Sequence, residues 1–312
     1  MSEFAIEISK LNKTYKAAGK SPEKVALHDI DLTIPKGSIF GLLGPNGAGK
    51  STIINIMAGL VMKTSGQVKI WDVDIDQDAR NSRGAIGVVP QEINYDPFFT
   101  PKQLLDIQAG LYGVPKNERR SMELLDLVGL ADKADAYTRS LSGGMRRRLM
   151  VAKAMVHTPP ILVLDEPTAG VDIELRRSMW DFILELNANG TTIILTTHYL
   201  EEAENLCKNI AIIDEGEIIE NTSMQSLLNR LDSQTLVLDL QHEVTSLPGL
   251  TGFKARLLDR QILEVTIGRE QSINQFFTHL NEAGISVSNM RNKTNRLEEL
   301  FIRLVDKEQR IR

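Results

Sequence analysis

The nine residues that most constrain this fold are Gly44-Pro45-Asn46-Gly47-Ala48-Gly49-Lys50-Ser51-Thr52. They match the pattern GxxxxGK[ST], in which consecutive backbone N–H groups of a glycine-rich loop surround phosphates. In that pattern the lysine reaches the terminal phosphates, and the hydroxyl after it binds Mg²⁺. We therefore predict that these residues bind the phosphates of a nucleotide.

The residues on either side of this loop supply the setting that a phosphate-binding loop needs. Residues 39–43 are apolar and predict a short buried strand, and residues 52–60 carry apolar side chains at helical spacing. A helix N-terminus has about half a positive charge and unpaired N–H groups, so polyphosphate is favoured there. The alternative is a glycine-rich turn that binds nothing, and the order of strand, loop and helix argues against it.

Length, charge and cysteine usage bound the class of protein. With 312 residues, the chain is long enough for one large domain and a small one. The net charge of −5 gives no reason to expect nucleic acid as the main partner. Cys207 is the only cysteine, so we expect no internal disulfide and a reducing, cytoplasmic compartment. The first residues predict no secretory signal, and no apolar run approaches the ~18 residues that span a bilayer.

Apolar and polar residues alternate near the beginning of the chain, which is typical of β-strands. Residues 4–9 and 25–34 predict an antiparallel layer, and residues 66–70 and 85–89 predict further strands. Tyr15 follows the first strand and has two interpretations: it stacks on a purine ring, or it packs into the sheet. The sequence leaves both open.

Helical patterns between residues 98 and 157 interrupt this arrangement. Residues 161–164 and 191–197 are apolar runs typical of parallel strands covered on both faces, with a helix predicted over residues 172–189. Residues 210–220 predict a hairpin that closes the domain. The core sheet is therefore predicted to be built from βα units.

A change in composition after Arg230 divides the chain into predicted domains 1–230 and 231–312. The second domain has no chemical motif, but its patterns suffice for a small α+β fold. Its strands are predicted at residues 235–240, 254–258, 262–267 and 285–287, and its helices at residues 273–283 and 297–305.

Two acidic residues follow the apolar run at 161–164. Asp165 can hold Mg²⁺ through its water shell, and Glu166 is placed to orient or deprotonate the water that attacks a γ-phosphate. An apolar strand ending in two acids is weak evidence alone, since solvated acids end many strands. The phosphate-binding loop upstream strengthens this evidence, because metal-assisted phosphoryl transfer requires both a phosphate-binding loop and acidic residues.

A second anion site is predicted at Leu141-Ser142-Gly143-Gly144. A serine N-cap followed by two glycines exposes several backbone N–H groups at a helix start. One chain with two phosphate-binding helix starts can use both of them if it forms a dimer. The run Arg146-Arg147-Arg148 that follows predicts a solvated, ion-paired helix face rather than a nucleic-acid site.

The stretches GPNGAGKST, LSGGM and ILVLDEP and the lone His198 resemble the ATP-binding cassette (ABC) ATPases in order and spacing. The resemblance covers residues 4–230 and is specific, because the LSGG element distinguishes these ATPases from other P-loop proteins. It implies an α/β fold: a P-loop NTPase core of ABC type with an antiparallel β layer and a helical subdomain at about 98–157. The small C-terminal α+β domain follows. Met145 stands where a glutamine usually follows LSGG, which removes a polar side chain from the nucleotide interface.

The resemblance also implies roles for individual residues. Contacts to ATP are implied for Tyr15, which would stack on adenine, and for Gly44, Pro45, Asn46, Gly47, Ala48, Gly49, Lys50, Ser51 and Thr52. Ser142, Gly143 and Gly144 would cap the γ-phosphate bound to the other subunit. Contacts to Mg²⁺ are implied for Ser51, Gln91 and Asp165. Catalytic roles are implied for Glu166, His198, Gln91 and Lys50, and Asp172 would signal across the dimer.

Residues 168–176, 198–204 and 296–301 are similar to ATPases of type-2 transporters, which are mostly exporters, and the whole chain resembles a YadG-like ATPase subunit. This implies a Mg²⁺-dependent, homodimeric ATPase that powers a separate integral membrane permease from the inner face of the plasma (inner) membrane. The alternative is a soluble mechanical ATPase of translation or DNA repair. Such proteins usually carry two cassettes or a long inserted coiled coil, and this sequence has neither.

A third interpretation, a clamp that binds ATP without hydrolysing it, would be expected to lack Glu166 or His198, and both are present. For the C-terminal domain, the sequence is consistent with regulation, with dimer support or with a plain packing module.

Overall fold

The computed structural model describes residues 2–17, 22–92, 95–169, 171, 173–197, 199–229, 233–245, 247, 252–268, 270–293, 297–298, 300–301 and 304. Among them the strands are β1 (Phe4–Tyr15), β2 (Lys24–Pro35), β3 (Ile39–Leu43), β4 (Ser65–Ile70), β5 (Val73–Asp74), β6 (Ile86–Val89), β7 (Ile161–Asp165), β8 (Thr192–Thr196), β9 (Asn209–Asp214), β10 (Glu217–Ser223), β11 (Ser233–Leu240), β12 (Lys254–Asp259), β13 (Ile262–Gly268) and β14 (Val287–Asn292). The α-helices are α1 (Lys50–Met57), α2 (Ala79–Gly84), α3 (Pro101–Leu111), α4 (Ser121–Leu127), α5 (Gly143–Ala154), α6 (Ile173–Ala188), α7 (Leu200–Leu206), α8 (Met224–Leu228) and α9 (Ile273–Glu282).

A six-stranded sheet carries the residues that the sequence assigns to nucleotide chemistry. Its strand order is β10-β9-β3-β8-β7-β6, and every pairing from β9 to β6 is parallel. All residues of β3 and β8 are buried, as expected of apolar runs that are covered on both faces. Because the carboxyl ends of parallel strands meet at one edge of a sheet, the segments after β3, β6, β7 and β8 converge there.

A four-stranded antiparallel sheet in the order β2-β1-β4-β5 forms the predicted β layer. Its inward side chains share one hydrophobic core with α1 and with β3 and β7 of the parallel sheet. Strand β1 extends beyond the predicted residues 4–9, because its pairing with β2 resumes after irregularities in register and ends at Tyr15 opposite Lys24. Helix α1 begins at Lys50, two residues before the predicted start at Thr52.

The stretch predicted to be helical, residues 98–157, contains α3, α4 and α5. Helix α3 begins with a capping box, in which the Thr100 hydroxyl accepts from the Gln103 amide and the Gln103 side chain accepts from the Thr100 amide. Leu105 and Leu125 are fully buried on α3 and α4. Of the helices formed by the described residues, none has the length and apolar character needed to cross a membrane.

The chain divides into two compact units, Met1–Thr222 and Ser223–Arg312, so α8 groups with the second unit. The sequence places the boundary later, after Arg230, and residues 230–232 lie outside the described part of the chain. In the second unit, β12, β13, β11 and β14 form an antiparallel sheet in that order. Phe276 and Leu280 of α9 pack on its apolar face.

The last predicted strand of the second unit is wrong. It was expected at residues 285–287, whereas β14 covers Val287–Asn292. Ile285 is buried, but its N–H donates to the carbonyl of Leu280 at 2.8 Å and closes the end of α9 instead of joining the sheet. Within the predicted helix 297–305, the described residues 297, 298, 300, 301 and 304 are helical, and residue 305 lies outside the described part.

Candidate nucleotide site

The glycine-rich loop leads from β3 directly into α1, as a phosphate-binding loop requires. Gly49 is the N-cap of α1 and has no side chain with which to satisfy the N–H groups of the first turn. These N–H groups therefore remain for a ligand anion. Gly44 lies against β9, where a Cβ atom would come within 2.2 Å of the Ile213 carbonyl oxygen. Only glycine fits at this position.

Lys50 holds the two ends of the loop together. Its Nζ donates to the carbonyls of Gly44 at 2.7 Å and Pro45 at 3.0 Å, and the residue is only 7% exposed. Burial lowers the pKa of the ammonium group, and the negative charges of Glu166 and Asp165 oppose that shift. The lysine is thus a cation aimed at the region between the loop and the two acids.

The two acids at the end of β7 are organised by Thr196 of the neighbouring strand β8. The Thr196 hydroxyl donates to Oδ1 of Asp165, and it accepts from the Glu166 N–H at 3.1 Å. The same N–H also approaches the Thr196 carbonyl at 3.0 Å. Glu166 adopts a left-handed backbone conformation with φ of 48°, which turns its buried side chain away from the direction of the strand.

Gln91 follows β6 and reaches the second acid. Its Nε2 donates to Oε2 of Glu166 at 2.9 Å. Since an ionised carboxylate accepts hydrogen bonds only, this amide fixes one oxygen of Glu166. The hydrogen bond thus places Gln91 beside Glu166, a contact that the sequence does not predict.

One cleft of about 200 Å³ brings most of the predicted residues together. It is lined by Tyr15, Lys24, Ala26, Asn46, Gly47, Gly49, Lys50, Ser51, Thr52, Gln91, Asp165 and Glu166. The ring of Tyr15 is 39% exposed, with the Lys13 Nζ 4.6 Å from the ring centroid. Tyr15 therefore lines the cleft, while its backbone pairs with Lys24 at the end of β1.

The donor set of the cleft suits Mg²⁺ bound to a polyphosphate. The described residues contain no group of three or more His, Cys, Asp or Glu side chains that could hold a metal alone. Mg²⁺ commonly binds through one or two carboxylates, substrate phosphates and water. Asp165 and the hydroxyl of Ser51, both lining the cleft, match that requirement.

The second predicted anion site forms at a different place in the chain. Ser142 is the N-cap of α5, and its hydroxyl accepts from the Met145 N–H at 3.3 Å. Among the described residues that line the cleft, Ser142, Gly143 and Gly144 are absent. The structure therefore does not bring these three residues to the phosphate-binding loop of the same chain. His198 and Asp172 lie outside the described residues.

The burial of two further charged residues, Arg147 and Glu202, escaped the sequence prediction. Arg147 was expected on a solvated helix face, and that is wrong: it is 4% exposed and donates to the carbonyls of Pro90 and Gln91. The burial of Arg147 could be predicted from helical spacing, because the apolar residues Met150, Val151 and Ala154 lie three, four and seven residues later and share its face of the helix. Glu202 on α7 is also buried, and it has no comparable pattern.

Comparisons with known proteins agree with this geometry. A family described as "ABC transporter" matches residues 27–169. The Nod factor export ATP-binding protein I of Paraburkholderia xenovorans (strain LB400) is 40% identical over 230 residues, which cover 73% of this chain and 74% of that protein. This chain belongs to the ATP-binding proteins of ABC transporters.

Two further comparisons show what this ABC ATPase is similar to. The linearmycin resistance ATP-binding protein LnrL of Bacillus subtilis (strain 168) is 40% identical over 224 residues, or 71% of each chain. A solved dimeric ATP-binding cassette in a post-hydrolysis state with ADP and Pi superposes with a TM-score of 0.62 at 26% identity. It covers 70% of this chain and 98% of that structure.

These findings confirm the fold class and the enzyme class predicted from the sequence. The protein is an ATP-binding and ATP-hydrolysing subunit of an ABC transporter, and the soluble alternative is not favoured. As such a subunit it works with a membrane component and is associated with the membrane.

Proposed function

We propose that this ABC ATPase powers an exporter as a homodimer that binds two ATP molecules between its copies. The observation that carries the proposal is the cleft in which Lys50, Asp165, Glu166 and Gln91 meet, while Ser142 lies elsewhere in the chain. A second copy would supply its Ser142, Gly143 and Gly144 to cap the γ-phosphate. Each ATP site would then need residues from both chains, and one chain alone would provide half of them.

In the proposed reaction, water attacks the γ-phosphorus, the bond to the bridging oxygen breaks, and ADP and phosphate leave. Glu166 accepts the proton of the attacking water, and Gln91 helps to orient its carboxylate. Lys50 balances the charge of the terminal phosphates. Asp165, Ser51 and Gln91 would hold Mg²⁺, which neutralises phosphate charge when bound. His198 would hydrogen-bond the γ-phosphate.

Export is supported by the relatives, one named for Nod factor export and the other for linearmycin resistance. Docking to a permease at the inner face of the plasma membrane is supported by exposed apolar side chains in the helical block. Phe98 and Leu111 are 69% and 77% exposed, and exposed apolar side chains mark a site for a partner protein where they form a patch. We assign regulation or dimer support to the C-terminal domain, which the sequence places at residues 231–312. This part of the chain has a hydrophobic core of its own.

The Glu166→Gln variant tests this function in the full-length protein extracted from membranes with ATP and Mg²⁺. Loss of the general base should reduce ATP turnover by about 100-fold or more. We expect the variant to be recovered as an ATP-bound dimer together with a hydrophobic protein of several membrane spans. Glu185→Gln, an exposed position on α6, is the matched control and should keep wild-type turnover.

Two results would contradict the proposal. Wild-type turnover in Glu166→Gln would remove this residue from catalysis. Consistent isolation without a multi-span protein, under conditions in which the dimer survives, would reject the permease.

A further inference from the structure

Arg147 occupies an unusual environment for an arginine. It lies on α5, five residues after the N-cap Ser142, and it is 4% exposed. Buried guanidinium groups are costly unless their donors are satisfied. Its Nη1 donates to the Gln91 carbonyl at 3.0 Å and, more weakly, to the Pro90 carbonyl at 3.3 Å. The cation is thus tied to the backbone of the segment that follows β6.

The neighbouring arginines make different contacts. Arg146 donates to the carbonyl of Arg139 at 3.1 Å, and Arg148 donates to the carbonyl of Val128 at 3.2 Å. Both acceptors belong to the helical block. Arg146 also lies over the ring of Tyr95, with its guanidinium carbon 5.2 Å from the ring centroid. Of these three arginines, Arg147 is the one that donates to the backbone of Gln91.

The other end of α5 also lies against β6. A Cβ atom on Gly87 would come within 2.3 Å of the Ala154 carbonyl oxygen, so glycine is required for this close approach. Helix α5 therefore contacts this part of the chain at two points, because Arg147 near its beginning bonds to the segment after β6 and Ala154 at its end lies against β6 itself. A displacement of Ser142 and the helix that it caps would be carried to Gln91.

Gln91 in turn contacts the catalytic acid, through the 2.9 Å hydrogen bond from its Nε2 to Glu166. A continuous set of contacts therefore runs from Ser142 along α5 to Arg147, to the backbone of Gln91, and through its side chain to Glu166. Burial lowers the pKa of Arg147, while the charges of Glu166 and Asp165 favour its cationic form. The guanidinium thus adds a positive charge behind the two acids.

We propose that Arg147 is a positioning residue for ATP hydrolysis, which holds the backbone of Gln91 so that its amide stays on Glu166. Through this link, the cap that α5 offers to the partner's ATP sets the geometry of the acid in the chain's own site. The inference rests on the proposed function, because Ser142 acts on the nucleotide only in a dimer.

The test is a double-mutant cycle of ATPase activity with purified full-length protein. Lysine at position 147 keeps the charge, but its side chain ends one atom short of the position of Nη1, so the Gln91 carbonyl loses its close donor and Gln91 its defined position. Since small misplacements at a reacting centre can cost about 100-fold in rate, we expect Arg147→Lys to lower kcat by about 10- to 100-fold. The KM for ATP should stay within about twofold of wild type, because no phosphate contact is lost.

The second arm of the cycle asks whether Arg147 acts through Gln91. In a Gln91→Ala background, Arg147→Lys should change kcat by less than about twofold, since the group that it positions is gone. Arg148→Lys, the same change one residue later on the helix, is the matched control and should leave kcat unchanged, because Arg148 donates to the Val128 carbonyl and not to the Gln91 segment. Arg147→Gln, which keeps an amide donor without the charge, serves if the lysine variant does not fold.

Three outcomes overturn the inference: an unchanged kcat in Arg147→Lys, an equal loss in both backgrounds, or a loss confined to KM. Failure of the proposed function would look different. In that case Glu166→Gln would keep its turnover, whereas failure of the Arg147 inference alone leaves the Glu166→Gln defect intact.

Discussion

Glu202 offers the sharpest test of how the strand ends around the site are held in place. It is fully buried on α7, and its Oε1 accepts from the Thr168 hydroxyl at 2.9 Å and from Trp180 Nε1 at 3.0 Å. Thr168 follows β7, and Trp180 lies on α6. One carboxyl group therefore joins three segments of the first unit.

Removing the carboxyl group leaves its hydrogen-bond donors without an acceptor. In Glu202→Ala, the Thr168 hydroxyl and the Trp180 indole N–H lose their acceptor inside the protein, and each unsatisfied buried donor costs about 1–3 kcal/mol. The expected loss is about 2–6 kcal/mol, or roughly 5 to 20 °C in Tm for a unit of this size. Glu202→Gln keeps an acceptor oxygen in the same place and should lose much less.

The two variants also differ in pH dependence. Burial raises the pKa of the Glu202 carboxyl above its ordinary value of 4.5, while hydrogen bonds from Thr197, Thr168 and Trp180 and the charge of Arg176 oppose the shift. The folded state thus binds the proton more tightly than the unfolded state does. Stability of the wild type therefore falls as pH rises from about 4.5 through the raised folded pKa, and Glu202→Gln lacks this loss. Relative to wild type, the glutamine variant should gain stability as pH increases.

The chain contains two tryptophans, which makes a local assay possible. In a Trp71→Phe background, thermal unfolding followed by fluorescence reports on Trp180 alone. The same background without a change at Glu202 is the reference. Equal Tm values for Glu202→Ala and Glu202→Gln, or parallel pH profiles for Glu202→Gln and the reference, would refute the reasoning.

Two further predictions concern single residues near the parallel sheet. Gly44→Ala should destabilise the loop and reduce ATP affinity more than tenfold in equilibrium binding, because the added Cβ meets the Ile213 carbonyl at 2.2 Å. Gly84→Ala, where a Cβ meets nothing within 4 Å, is its control, and equal affinities would contradict the steric argument. Cys207 is 4% exposed and burial raises the pKa of its thiol, so a thiol reagent should label it only in denaturant. Rapid labelling of the native protein would show that β9 opens readily.

Much of the core and of the cleft could be predicted because both rest on local sequence patterns. The apolar runs of β3, β7 and β8 report burial on both faces, and the glycine-rich loop has a fixed pattern of residues. The acids after β7 follow from the strand itself. These features need no knowledge of distant contacts.

Arg147 and Ile285 show where local patterns fail. A run of three arginines is typical of a solvated face, and the carbonyls that bury Arg147 lie 56 and 57 residues away in the chain. The apolar character of Ile285 suits a strand, but its N–H is needed to close α9. For Arg147 the deciding contact is with distant residues, whereas for Ile285 it is the local hydrogen bond that ends α9.

The left-handed backbone of Glu166 has a consequence for how this protein can change. This left-handed conformation costs a residue with a Cβ atom about 1–2 kcal/mol relative to glycine. Glycine at position 166 would remove that cost, and it would also remove the carboxylate that we propose as the general base. At this position, selection for stability and selection for the proposed activity therefore act in opposite directions.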